Sequence, residues 1–410
     1  MSAYIYLDNN DTTQMLPEVF EAMKPYFMEN FGNPASLHDL GLEAENAVTD
    51  ARISLIEHIG AREEEELIFT ASATEANNFA IYGVAYAHAA KGKHIITSKV
   101  EHNAVISPLK RLQSEGYEVT FLPVDSEGFI DPEELARAIR PHTILVSIIH
   151  GNHEIGAIQD IPAIGRICKE RGVLLHSDAA QSFTKYPIDV MKDNIDLLSI
   201  NAHKFHGPKG IGALYKRKGV KLQKLMEGAP QENNMRPGTE NVPAIIGFAK
   251  AADVAFADFE KNNAHMTAMR DRLIDELLQI PHTRLNGPRG ARRLPTNVDI
   301  TFSYIEGEAI LMHLSTRGIY VSSGSACSSK ALTPSVVLTS IGLKHEQAHG
   351  SIRISLSKLN TMQEIEQTSV TVKEVVALLR SMTAFIPEEH SEIEGHGATT
   401  FYKKKKDEVL

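Results

Sequence analysis

The sequence predicts an α/β protein: a large domain with a mostly parallel sheet covered by helices on both faces, plus a smaller α+β C-terminal domain. Three observations predict it. Strand-like apolar runs alternate with helical patterns from Leu67 to Asp178, which is the pattern of βαβ units. Polar residues follow those runs directly, at the carboxyl ends where ligands of such sheets gather. Beyond Pro243 a helical stretch, Ala244 to Ile280, leads into a second and shorter series of strands and helices.

In order, residues 1–15 form an extended arm, Tyr4-Ile5-Tyr6-Leu7 followed by Asp8-Asn9-Asn10-Asp11, expected to pack with the small domain. Helical spacing covers Pro17 to Phe27 and Gly41 to Ile59, with a turn-rich loop at Phe31 to Ser36 between them. The acidic run Glu63 to Glu66 is expected to be a solvated surface. Strands are expected at Leu67–Thr70, His94–Ser98, Glu118–Leu122, Thr143–Ile149 and Val173–His176. Each of the first four is followed by a loop and a helix. Ile195 to Ile200 is a buried strand, after which Gly207, Pro208, Gly210 and Gly212 break the chain before Ala213-Leu214-Tyr215. The large domain is placed at 16–258 and the small domain at 259–386, with strands Asn297–Phe302, Ile319–Ser322 and Ile352–Leu356. Thr361 to Glu364 has the spacing of a capping box and opens the last helix. Residues 387–410 read as a polar, flexible tail ending in four lysines.

The bulk properties exclude several classes. With 42% hydrophobic and 23% charged residues the chain has the composition of a globular protein. It carries no apolar run long enough to span a membrane and no signal peptide, so no membrane association and a cytoplasmic location are expected. The formal charge of −10 argues against nucleic acid as a partner. Two cysteines, Cys168 and Cys327, cannot build a disulfide framework or a cysteine-based zinc site, and no metal is assigned.

The candidate chemistry sits at strand ends. Lys204, on a glycine-rich loop after a buried strand, can be desolvated and form a Schiff base with a carbonyl; the alternative is a surface lysine. Ala73 and Thr74 lie where a strand turns into a helix, and free N–H groups there suit a phosphate, although any capped helix looks alike. Asp178 follows a strand directly and is either a helix cap or the partner of a cationic ring nitrogen. His102 can serve as acid–base or as a ring stacked on a planar ligand. Cys327, within a run of small residues, reads as a reachable thiol, whereas Cys168 falls on the apolar face of a helix and reads as core. Arg353, in a strand with apolar neighbours, calls for a carboxylate from the protein or from a substrate. Together these residues match what pyridoxal 5'-phosphate requires.

From Tyr6-Leu7-Asp8 to about Leu379 the chain resembles the cysteine desulfurases of the class V aminotransferase group, which are fold-type I pyridoxal-phosphate enzymes. The segments that carry the resemblance are FGNPAS (31–36), ATEANN (73–78), GKHIITSKVEH (92–102), TILVSI (143–148), HGPKGIGALY (206–215), SSGSACSSK (322–330) and SIRISL (351–356). The resemblance implies a homodimer that takes sulfur from L-cysteine as a persulfide and leaves alanine. It implies that Lys204 holds the cofactor, Asp178 pairs with its ring nitrogen, His102 stacks and moves protons, and Gln181 bonds the phenolic oxygen. Ala73, Thr74 and His203 would hold the phosphate, with Thr239 from the other subunit; Asn33 and Arg353 would bind the substrate carboxylate. Cys327 would attack the substrate sulfur and pass it to an acceptor or cluster-scaffold protein.

Departures from the family pattern concentrate at the cofactor. His153 stands for an asparagine, Asn201 for a serine, Ser72 for a glycine and Pro237 for a serine. The family's glycine run before Gln231 is Gly228-Ala229-Pro230, and Asn10-Asp11-Thr12-Thr13 replaces Ala-Ala-Thr-Thr. Asn201 can still donate to a phosphate and His153 to the phenolic oxygen. These changes leave open another pyridoxal-phosphate reaction on the same fold, such as selenocysteine lysis or transamination. They also leave open a degenerate homologue kept as a binding partner.

Overall fold

The computed structural model describes residues 4–323 and 334–383. A short strand, β1 (Ile5–Tyr6), opens it. The next seven strands are β2 (Leu67–Thr70), β3 (His94–Ser98), β4 (Glu118–Leu122), β5 (Thr143–Ile149), β6 (Leu174–Asp178), β7 (Leu197–Asn201) and β8 (Gly212–Lys216). They build one sheet in the order β2-β8-β7-β6-β5-β3-β4, in which β8 alone runs against the others. The protein is therefore α/β with a mostly parallel central sheet. Every residue of β5 is buried, which is why its sequence is apolar on both faces apart from the hydroxyls of Thr143 and Ser147. Each fully buried Leu or Ile side chain there contributes about 1.5–3 kcal/mol.

Both faces of this sheet are covered, and the strand periodicity divides neighbouring residues between them. Ile96, Val146, Leu175 and Leu198 pack with Leu55, Ile164 and Phe248 from helices Asp39–His58, Ile161–Arg171 and Val242–Ala257. Their chain neighbours Ile95, Leu145 and Leu197 pack on the opposite face with Phe79, Val84, Leu109 and Leu112 from helices Ala73–Ala87 and Asn103–Ser114.

The second unit holds β9 (Thr283–Leu285), β10 (Asn297–Phe302), β11 (Ile319–Tyr320) and β12 (Ser351–Ser355). Strands β12, β10 and β9 form an antiparallel sheet in that order. β1 pairs in parallel with β11, and Asp8 bridges Ser355, so the chain's first described strand is built into this unit. Leu7 is fully buried there with Leu273, Phe302, Ile354 and Val372.

Three details differ from the sequence reading. The acidic run is not wholly solvated: Glu66 is buried, and its carboxylate accepts the N–H groups of Arg62, Glu63 and Lys218. Those bonds hold its carboxyl below the usual range against the opposing effect of burial. The stretch Ala244 to Ile280 is two helices, Val242–Ala257 and Phe259–Leu277, separated where Asp258 (φ −117°, ψ 30°) leaves the helical region. Strand β9 carries no clear alternation in its sequence and was not anticipated. Among the described residues no helix is long and apolar enough to cross a membrane.

Candidate active site

The ladder register brings five strand ends onto one edge. Thr70 of β2 and Asn201 of β7 both face Gly212 at the start of the reversed β8, while Asp178 of β6 faces Ile149 of β5 and Ser199 of β7. The residues that follow these ends and the end of β3, which lies beside β5, are Ala73, His102, His153 and Lys204, and they rim one crevice. Gly212 matters to this edge. A Cβ there would lie 2.6 Å from the Ser72 carbonyl carbon and 2.8 Å from the Ala73 nitrogen, so only glycine lets the strand-to-helix turn close against the sheet.

Asp178 is buried and immobilised. Its Oδ2 accepts from Asn77 Nδ2 at 2.7 Å and its Oδ1 from the Ala180 N–H at 2.9 Å. Asn77 reaches it from helix Ala73–Ala87, whose N-terminus is capped by Ser72. That helix thus supplies the free N–H groups of its first turn and the residue that orients Asp178. Glu75 of the same turn pairs with Arg236 at 2.9 Å, which ties the Arg236–Thr239 loop to it.

Lys204 is half-buried. Its amine donates to the carbonyl of Asn10 and, at 2.8 Å, to that of Asp11. Gln181 Nε2 also donates to the Asn10 carbonyl, at 2.8 Å. Thr13 bonds the His203 carbonyl and receives the His206 N–H, and Thr12 Oγ1 lies 3.2 Å from the His203 ring. The segment Asn10 to Thr13 is therefore laced onto the Lys204 loop. Sequence reasoning assigned none of these arm residues a role at the site; the run of seven polar side chains from Asp8 to Gln14, directly after an apolar strand, was the available signal. Lys185, also missed, is buried near Lys204, and burial together with that charge pushes its amine down to about 7.

The two histidines of the crevice, His102 and His153, are both held below their ordinary value. Burial lowers His102, and the Lys204 and Arg353 charges lower it further against the pull of Asp178. Its Nδ1 accepts the Ala104 N–H at 3.1 Å, so the neutral ring carries its proton on Nε2. His153 meets it edge to face with centroids 5.1 Å apart and is held well below its ordinary value, first by burial and then by His102, Arg353 and Lys204. Beneath them Glu101 is fully enclosed and raised to about 8 by burial.

Arg353 lies on β12 and points to the same place. It donates to Asp11 Oδ1 at 2.6 Å and to the His153 carbonyl at 3.2 Å, and Asp8 Oδ1 lies 3.5 Å away. Asp8 is raised to about 6, chiefly by burial and then by Asp11.

The structure thus gathers Ala73, His102, His153, Asp178, Gln181, Asn201, His203, Lys204 and Arg353 at one edge, with Thr74 exposed on the adjoining cleft. Asn33 and Thr239 are exposed and make no hydrogen bond to this cluster among the described residues; Asn33 Oδ1 accepts the Ala35 N–H instead. Cys327 lies outside the described residues. Gln181 Oε1, Asn201 Oδ1, His153 Nδ1 and Arg353 Nε are buried here without a hydrogen-bond partner. Buried polar atoms are rarely left so, and four on one crevice fit a polar ligand with several acceptors and donors.

Fold and site together define a protein of the class-V aminotransferase kind. That family's sequence pattern matches residues 5–368, and the chain belongs to it, within its cysteine desulfurases. It is 50% identical to cysteine desulfurase IscS of Methanosarcina thermophila over 94% of this chain and 95% of that one. A solved NifS-like protein superposes with a TM-score of 0.86 at 36% identity, covering 92% of this chain and all of the other. The structure of SspA in complex with cysteine gives a TM-score of 0.77 at 36% identity over 87% of this chain and 100% of that one.

Proposed function

We propose that this protein is a cytoplasmic pyridoxal-phosphate cysteine desulfurase that converts L-cysteine to L-alanine and passes the sulfur, through Cys327, to an acceptor protein for iron–sulfur cluster assembly or thiolation. The observation that carries the reading is the placement of Asp178 and Lys204 at the ends of adjacent strands, β6 and β7, in a chain half identical to a cysteine desulfurase. The four unpartnered polar atoms support the fit of pyridoxal 5'-phosphate to the crevice. When bound, that cofactor supplies an aldehyde for amino groups and a ring that withdraws electrons from the bonds at the substrate's α-carbon.

The chain's own residues do the rest. Asp178, held by Asn77 and the Ala180 N–H, accepts a hydrogen bond and keeps a proton on the ring nitrogen it meets. The Ala73 and Thr74 N–H groups at a helix start, with His203 beside them, receive the phosphate, and Thr239 of a second subunit completes that subsite. Gln181 and His153 offer contacts to the phenolic oxygen, and Asn201 to the phosphate. His102 carries a proton on Nε2 and the Lys204 amine takes and returns protons. Arg353, with Asn33, binds the substrate carboxylate. The Cys327 thiolate attacks the sulfur of L-cysteine; the S–S bond forms as the carbon–sulfur bond breaks, and the carbon takes up a proton to become the methyl group of alanine.

A homodimer is part of the proposal. Phe27, Met28, Phe31 and Leu37 are exposed in one short stretch, with Leu37 94% exposed, as suits a face covered by a second copy. Incubating the protein with L-cysteine and a thiol reductant tests the activity. Alanine and sulfide well above a Lys204→Ala control are expected; equal yields from the two would reject the proposal.

A further inference from the structure

Arg353 is not waiting for a carboxylate. Its fork already holds Asp11 at 2.6 Å, with Asp8 at 3.5 Å on the same nitrogen. The two acids differ. Asp8 is mostly buried, while the Asp11 side chain is 43% exposed beside an arginine side chain that is 7% exposed. A half-exposed carboxylate regains water when it swings out, while the buried Arg353 keeps only the Asp8 carboxylate at 3.5 Å and so needs an incoming carboxylate in place of Asp11. The backbone of Asp11 is anchored independently, because its carbonyl accepts from the Lys204 amine at 2.8 Å. One residue therefore spans the lysine at one end of the crevice and the arginine at the other.

We propose that Asp11 is an internal competitor of the substrate carboxylate: its carboxylate occupies the Arg353 fork in the ligand-free protein, and an incoming carboxylate binds only by displacing it. The inference rests on the reading that Arg353 receives the substrate carboxylate. A ligand attached by its carboxylate alone then gains little, since it exchanges one carboxylate on the arginine for another. A ligand that also brings an amino group and a thiol has further attachments with which to drive the displacement. The displacement cost falls equally on every carboxylate ligand, so Asp11 lowers affinity across the class and discriminates only between ligands with and without a carboxylate. Plain acids, which have fewer other attachments, are left with the weakest binding.

The test compares wild type, Asp11→Asn and Asp11→Ala in the cofactor-loaded protein, each first checked for an unchanged circular dichroism spectrum and melting transition. Calorimetry measures binding of 3-mercaptopropionate, which has the thiol and carboxylate without the amine, and of cysteamine, which has the thiol and amine without the carboxylate. Both variants are expected to bind 3-mercaptopropionate about tenfold more tightly, the factor that corresponds to about 1.4 kcal/mol. Cysteamine affinity should stay within about twofold, and KM for L-cysteine should fall by a larger factor than kcat changes. Unchanged or weaker binding of 3-mercaptopropionate, or an equal gain for cysteamine, would overturn the proposal. Binding needs no turnover, so tighter binding of the acid in a protein that releases no sulfide would reject desulfuration and leave the assignment of Asp11 standing.

Discussion

Asn77 Nδ2 donates to Asp178 Oδ2 at 2.7 Å, and both residues are buried. The bond joins the helix that starts beside β2 to the end of β6, three strands away in the sheet order. In the proposed reading, the helix whose first turn would receive the phosphate therefore also aims the carboxylate that would meet the ring. Replacing Asn77 with alanine leaves a carboxylate oxygen buried without its donor, which costs about 1–3 kcal/mol. We expect Asn77→Ala to lose that much stability in urea denaturation and to bind the cofactor about tenfold more weakly, read from its visible absorbance.

The two thiols should separate cleanly. Cys168 is 1% exposed in the core beneath the sheet, and burial pushes its thiol up to about 12. A thiol so enclosed is not a thiolate at pH 8 and does not react. Cys327→Ser protein should take up no maleimide at that pH until it is unfolded, whereas the wild type should be labelled natively at Cys327. The same variant should keep the cofactor's colour and form no persulfide with L-cysteine. A persulfide on Cys327→Ser would assign the sulfur transfer to another group.

Glu101 should give stability a measurable slope with pH. Its carboxyl is raised from 4.5 to about 8 by burial, while its Oε1 accepts from Ser98 Oγ at 2.5 Å and from the Ile149 N–H at 3.0 Å. A group with a raised folded-state pKa binds its proton more tightly when folded. Its contribution is complete below about 4.5 and is lost as pH rises through about 8. Between pH 6 and pH 9 the wild type should lose on the order of 2 kcal/mol from this group alone. Glu101→Gln keeps the Oε1 acceptor without the titration and should flatten that part of the profile, as urea denaturation at the two pH values will show.

Much of the large domain was legible because burial on both faces leaves a plain signature. Strands such as Thr143–Ile149 are largely apolar on both faces, and the polar residues after them mark the crevice. Lys204 and Asp178 stood out as charged groups just past the ends of buried strands, and Arg353 as a charge among apolar strand neighbours. The coupling of the arm to the site was not legible. Asn10, Asp11 and Thr13 act through backbone carbonyls, or reach partners 190 or more positions away, and local sequence carries neither kind of information. Glu66 misled for a related reason: three backbone N–H groups satisfy a carboxylate that its acidic neighbours made look solvated.

The pairing of β1 with β11 and of Asp8 with Ser355 has a consequence for biosynthesis. During translation the large sheet can close as soon as β8 has emerged, but the first dozen residues must wait for a strand made some 130 residues later. A nascent chain stalled before residue 351 has no arginine to complete the crevice or to hold Asp11. Completion of the crevice thus waits for β12, the last strand among the described residues.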